Sequence, residues 1–244
     1  MVDLNEERGR VAAVVPAAGQ GTRLGAGVPK NLRKLGGVPI LVHTVRALQA
    51  ARSVEFVVVA APPSQVAQTR ASLAEHAADG QVRVVPGGAT RQDSVRRALA
   101  AVPIEMGIVL VHDAARPFTP VPLIDAIVTT IHHGAHAVVP AIPLTDTVKQ
   151  VDTQLRVTST LDRSSLRAIQ TPQGFRREVL EAAYAAVSST ELPDATDDAG
   201  LIEALGHAVL VVPGAFEAFK ITHPFDLLVA EAVLAQRQMS AHAG

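Results

Sequence analysis

Between Pro16 and Lys30 the chain sets four glycines, Gly19, Gly21, Gly25 and Gly27, beside two fixed cations, Arg23 and Lys30. Glycine lets backbone N–H groups approach an anion with no Cβ in the way, and the two side chains add positive charge, so this run suits a polyphosphate. Counting excludes two common phosphate loops. A dinucleotide fingerprint needs a third glycine where Leu24 stands, and a P-loop needs Ser or Thr after its Gly-Lys, whereas Lys30 lies between Pro29 and Asn31. An ordinary surface loop rich in Gly and Pro is the bland alternative.

Three further groupings could carry chemistry. In Val109-Leu-Val-His-Asp113-Ala-Ala-Arg116-Pro117 a carboxylate follows an apolar run. Asp113 there suits a hard cation whose remaining ligands are phosphate and water, and its structural alternative is a turn aspartate paired with Arg116. Gly87-Gly88 with Ser94 can offer hydrogen bonds to a nucleobase edge, or can form a plain turn into a helix capped by Thr90. Lys220 lies between Phe219 and Ile221, and a strand lysine in such company needs solvent or an anion. Asp146 to Lys149 and Asp162-Arg163 read singly as solvated charges, and Asp197-Asp198 reads as the start of a helix. His132, His133 and His136 have ligand-like spacing, but Gly134 breaks their helix and no zinc site is expected.

The elements that must position these groups alternate. Apolar strands at 11–15, 55–60, 81–85, 107–112 and 135–139 are separated by helical patterns at 40–51, 65–77, 94–101 and 123–133. Strands apolar on both faces, each followed by a helix, imply an α/β fold with a Rossmann-like, mostly parallel twisted sheet covered by helices on both faces. In such a sheet ligands gather at the carboxyl ends of the strands, where the glycine run begins. From Thr145 to Thr160 polar and apolar residues alternate around Asp152-Thr153-Gln154, the pattern of a β-hairpin. Because a lone hairpin is marginal in water, the segment 143–166 is expected to be a protruding β-arm that packs on a second subunit, with folding back on its own domain as the alternative. An apolar segment at 166–169, helices at 177–187 and from 197, strands at 208–212 and 218–221, and a last helix from Pro224 to about Gln238 complete the reading.

Composition narrows the class. A chain of 244 residues, 48% hydrophobic and 18% charged, is globular and is read as one domain, 1–244. A net charge of −1 with no Trp and one Tyr argues against nucleic acid as a partner. Zero cysteines exclude disulfides and thiolate metal sites. The first ten residues are polar and charged, and no apolar run approaches the roughly 18 residues of a span, so no membrane association and a cytoplasmic location are expected.

Taken together, the glycine run and the His112 to Pro117 motif resemble the 2-C-methyl-D-erythritol 4-phosphate cytidylyltransferases. The resemblance runs from Val11 to about Glu231. It is carried by Pro16-Ala-Ala-Gly-x-Gly with Pro29-Lys30, Gly87-Gly88 with Arg91 and Asp93-Ser94-Val95, Val111 to Pro117, Asp146 to Lys149, Thr171-Pro172-Gln173, Thr196 to Ala199 and Lys220-Ile221-Thr222. It implies a homodimer that joins CTP to methylerythritol phosphate with release of pyrophosphate. Arg23, Lys30 and Lys220 would be catalytic, and Asp113 would bind Mg²⁺. Pro16, Ala17, Ala18, Gly19, Gly21, Gly87, Gly88, Ser94, Asp113 and Ala114 would hold the nucleotide. Thr171, Arg116 and Lys220 would meet the acceptor, joined by Thr147 and Arg163 from the other subunit's arm. Asn31 stands where the family commonly has Gln. A cytidylyltransferase for another polyol phosphate, such as ribitol 5-phosphate, and a catalytically silent nucleotide-binding subunit are the competing readings. A nucleotide-sugar glycosyltransferase is disfavoured by the lack of an Asp-x-Asp motif.

Overall fold

A computed structural model describes residues 9–19, 33–76, 81–189 and 196–242. Arg23, Lys30, Asn31, Gly21, Gly25 and Gly27 lie outside them. The chain builds β1 (Arg10–Pro16), β2 (Lys34–Leu35), β3 (Val38–Pro39), α1 (Ile40–Gln49), β4 (Val54–Ala61), α2 (Val66–His76), β5 (Val82–Pro86), α3 (Arg91–Leu99), β6 (Met106–Val111), α4 (Val121–His132) and β7 (Ala137–Pro143). It continues with β8 (Lys149–Val151), β9 (Val157–Thr160), β10 (Arg167–Ile169), β11 (Gln173–Arg176), α5 (Arg177–Ser189), α6 (Asp198–Ala204), β12 (Val209–Pro213) and α7 (Pro224–His242).

The main sheet runs β10-β7-β11-β6-β1-β4-β5, with β12 also paired to β7. β1 pairs in parallel with β4 and β6, as β4 does with β5 and β12 with β7, while β10 and β11 run antiparallel to their neighbours. The architecture is therefore α/β and mostly parallel, as the apolar strands required.

Period-two geometry explains how one strand supplies two cores. Val11, Ala13 and Val15 face one layer with Leu41, Val45 and Leu48 of α1 and Ile124, Ile127 and Ile131 of α4. Ala12 and Val14 face the other with Val95 and Leu99 of α3, Leu180 of α5 and Ile202 of α6. Burying each such aliphatic side chain contributes about 1.5–3 kcal/mol, which fixes the strand ends where the site forms.

Three parts differ from the sequence reading. The segment 218–221 is not a strand: a single 3₁₀ turn at Phe216–Ala218 is followed by extended chain whose Ile221 N–H bonds Ala115 O at 2.9 Å, tying it to a loop rather than to a sheet edge. β11 inserts between β6 and β7, where no strand was expected. β2 and β3 form a small hairpin around Gly36 and Gly37, whose φ values of 56° and 82° suit glycine.

β8 and β9 form a separate antiparallel pair. Val151, Leu155 and Val157 on it are 46%, 82% and 59% exposed. Among the described residues no helix is long and apolar enough to cross a membrane.

Candidate active site

The carboxyl end of β1 runs into Pro16-Ala17-Ala18-Gly19, which forms one wall of a cleft of about 240 Å³. The opposite wall is the turn Gly88-Ala89-Thr90 leading into α3, and Asp113, Ala114, Ala115 and Lys220 close the floor. A second cavity of about 300 Å³ adjoins it, lined by Arg91, Asp113, Arg116, Thr171, Gln173 and Lys220 among others.

The turn into α3 is held from within. Thr90 caps the helix by accepting from Asp93 N at 3.0 Å. Ser94 Oγ donates to Thr90 O at 2.9 Å and accepts from Gly88 N at 3.1 Å, so the hydroxyl expected to read a base also shapes the turn. Gly87 sits behind the cleft wall. Its N–H goes to Ala61 O at 2.7 Å and its C=O to Arg97 at 2.8 Å, and a Cβ there would fall 2.5 Å from that of Ala18. Its part is close packing of strand ends.

Asp113 stands just past β6 among three cations. Lys220 Nζ is 2.9 Å and Arg116 Nε 3.4 Å from Oδ2, and Arg91 Nε is 3.8 Å from Oδ1. Burial disfavours its charge, but Lys220, Arg91 and Arg116 outweigh that and hold the carboxyl well below the usual carboxylate range. Lys220 is steered by backbone: Arg116 Nη1 donates to Ala218 O at 2.7 Å, and Asp226 Oδ2 accepts from Thr222 N and His223 N at 2.7 Å each. The sequence placed Arg116 on the acceptor. It lines the second cavity, with two of its donors turned to Asp113 and Ala218.

Thr171 also lines the second cavity and its hydroxyl accepts from Asp113 N at 3.0 Å. The same hydroxyl lies 2.9 Å from His112 Nδ1, and His112 Nε2 lies 3.2 Å from Arg116 O. A consistent donor scheme follows: Thr171 donates to Nδ1, and Nε2–H donates to Arg116 O, giving one neutral tautomer. Burial pushes the fully buried His112 down to about 4.

This depression has a measurable sign. Between pH 6.5 and about 4 the unfolded imidazole takes a proton that the folded one refuses, so stability is fully present above 6.5 and falls as pH drops through that window. The expected loss is about 3 kcal/mol. His43, also lowered by burial, adds to the same slope, whereas the contribution of Asp113 is lost only as pH falls from the ordinary carboxylate pKa downwards. Urea unfolding at a series of pH values should show a shallower slope for His112→Asn than for wild type; equal slopes would mean that His112 is not held neutral.

Neither Thr147 nor Arg163 lines these cavities in its own chain. Arg163 bonds Thr145 O at the base of the hairpin. The histidines set aside earlier stay apart from the site: His136 stacks on His207 with centroids 5.6 Å apart, and no group of three or more metal-ligating side chains occurs among the described residues.

Sequence reasoning gave Arg91 and Asp198 no role in the site. Arg91 Nη2 bonds Asp198 Oδ2 at 2.7 Å, and Tyr184 Oη donates to Asp198 Oδ1 at 2.5 Å. Arg91 and Asp198 are 107 residues apart in sequence, too far for any local spacing to reveal.

A glycine-walled cleft at the carboxyl ends of parallel strands, with one carboxylate among convergent cations, defines a nucleotide-binding α/β protein of the nucleotidyltransferase type. A sequence model described as 2-C-methyl-D-erythritol 4-phosphate cytidylyltransferase matches residues 11–236. The chain is 54% identical over 239 residues to the protein of that name from Streptomyces coelicolor, covering 95% of this chain and 87% of that one. It is 56% identical over 227 residues to its namesake from Frankia casuarinae, covering 93% and 82%. The crystal structure of 4-diphosphocytidyl-2C-methyl-D-erythritol synthase from Anaerococcus prevotii superposes with a TM-score of 0.82 at 28% identity, covering 93% of this chain and 99% of that one. The chain belongs to the 2-C-methyl-D-erythritol 4-phosphate cytidylyltransferase family.

Proposed function

We infer that the chain joins CTP to 2-C-methyl-D-erythritol 4-phosphate, giving 4-diphosphocytidyl-2-C-methyl-D-erythritol and pyrophosphate in isoprenoid biosynthesis. The observation that carries the chemistry is the junction of the two cavities at Asp113, where Lys220, Arg91 and Arg116 converge.

The nucleophile is the acceptor's own phosphate, whose second pKa of about 6 leaves it mostly dianionic at neutral pH, so no general base is needed. An oxygen of that phosphate attacks the α-phosphorus of CTP in line. The bond to the bridging oxygen breaks and pyrophosphate leaves with the electron pair. The obstacle is charge. Two unit charges about 4 Å apart repel by roughly 4 kcal/mol at an effective dielectric of 20, so the protein must gather cations around both substrates. We assign the triphosphate to Arg23 and Lys30, the nucleoside to the Pro16 to Gly19 wall with Gly88, Ser94 and Ala114, and the acceptor to Lys220 and Thr171. Thr147 and Arg163 would come from a partner's arm. The exposed Val151, Leu155 and Val157 favour that homodimer, because a second subunit would cover them. We read the chain as one domain in the cytoplasm.

Asp113 also suits the expected Mg²⁺. Its Oδ1 has no hydrogen bond among the described residues, and one carboxylate oxygen completed by phosphate and water is a common donor set for this ion. The surrounding cations make that fit conditional on bound nucleotide. Held there, the ion would add positive charge to the triphosphate.

The test is pyrophosphate release with CTP, UTP or ATP against methylerythritol phosphate or ribitol 5-phosphate. CTP with methylerythritol phosphate is expected to exceed every other pair by on the order of a hundredfold or more. Preference for ribitol phosphate would reassign the acceptor, and no release with any pair would leave a nucleotide-binding subunit.

A further inference from the structure

The two cavities have three lining residues in common: Arg91, Asp113 and Lys220. Wherever a nucleotide in one cleft meets an acceptor in the other, these side chains border the meeting point. Asp113 and Lys220 already have roles there, and Arg91 has none. Its side chain is 31% exposed at this shared wall, and the orientation of its guanidinium is set from behind. Nη2 is bound to Asp198, a carboxylate with no exposure whose second oxygen takes the Tyr184 hydroxyl. Burial works against charge on Arg91, but Asp198 and then Asp113 outweigh it, so the guanidinium stays cationic. Nε and Nη1 make no hydrogen bond among the described residues, and Nε points no closer than 3.8 Å to Asp113. A planar fork with one donor clamped and the others turned to a cleft suits a phosphate better than a lone carboxylate does.

Resting on the function proposed above, we propose that Arg91 is a further catalytic residue, binding phosphate oxygens where the acceptor meets the α-phosphate, with Asp198 as its positioning residue. The competing explanation is that Arg91 only neutralises buried Asp198. A double variant separates the two. Arg91→Gln alone leaves Asp198 uncompensated and should lower both Tm and turnover. Adding Asp198→Asn removes the stranded charge while Asn can still accept from Tyr184, so Tm should return towards wild type. Turnover with CTP and methylerythritol phosphate should stay about a hundredfold down, the scale of losing one preorganised donor. Should Arg91→Gln fail to fold, the double variant still decides.

Recovery of kcat together with Tm in Arg91→Gln/Asp198→Asn would overturn the proposal and leave Arg91 as a counter-ion. CTP titration by calorimetry on the same proteins gives a readout independent of the reaction. If the wild type released no pyrophosphate, the function reading would fall. Tenfold weaker CTP binding by the thermally restored double variant would then still support the phosphate contact, and unchanged binding would refute it.

Discussion

Lys220→Met is expected to lower kcat by on the order of a hundredfold to a thousandfold while Tm stays within a few degrees of wild type. The large kinetic effect follows from where the ammonium sits, at the border of both cavities and 2.9 Å from Asp113. An acceptor phosphate that carries close to two negative charges must come within bonding distance of an already anionic α-phosphate. Removing a cation from that point raises the transition state by about 3–4 kcal/mol. The small structural effect follows from what remains. The Lys220 side chain is 39% exposed, and Asp113 keeps Arg116 and Arg91 as partners. The loop itself is held by the Ile221 N–H to Ala115 O bond, which involves no side chain.

Lys220→Arg is the sharper version. It keeps the charge but replaces a compact ammonium with a planar fork that can grip Asp113 in two places, so partial recovery at best is expected. Steady-state kcat and KM for both substrates, with Tm beside them, provide the check. Turnover within fivefold of wild type for Lys220→Met would remove it from the reaction.

The parts of this molecule that were legible in sequence are those governed by local rules. β1, β4 and β6 read as buried parallel strands because residues on both faces are apolar, and the structure feeds their alternate residues into separate cores. The hairpin was visible because β8 and β9 alternate around a polar turn. Asp113 and the Gly88 turn were visible because each follows an apolar run, which puts it at a strand's carboxyl end.

β11 was hidden for the converse reason. Gln173-Gly174-Phe175-Arg176 has one large apolar residue, and its buried Gln173 is satisfied only through Asp197 at 2.7 Å and Ala199 N at 3.1 Å, contacts made by a later helix. Gly174 there admits the side chains of Ile127, Ile131 and Leu110, a fit that no window of sequence reports. The misread strand around Lys220 shows the opposite error. Phe219, Lys220 and Ile221 alternate as a strand would, but β12 holds the neighbouring place on β7, and the segment finds its backbone partner in the Ala115 loop. The Gly36-Gly37 turn between β2 and β3 did carry a signal, since paired glycines between Leu35 and Val38 mark a tight hairpin.

The second large effect concerns activity regained. If the arm of one subunit completes the site of the other, mixing inactive Arg163→Ala with inactive Lys220→Met should restore roughly a quarter of wild-type turnover after subunits exchange, since a two-fold dimer carries two equivalent sites. Half the dimers would then be mixed. In each of those, one site joins the intact Lys220 of the Arg163→Ala chain to the intact Arg163 of its partner, and the other site lacks both. The structure motivates the pairing because Arg163 and Thr147 border neither cavity of their own chain, while the apolar residues of the hairpin lie open. Rise of activity with the time course of exchange, followed by co-purification of two differently tagged chains, is the measurement. Proven exchange with no rise above the two parents would mean that each site is built within one chain and that Arg163 serves only to brace the hairpin through Thr145.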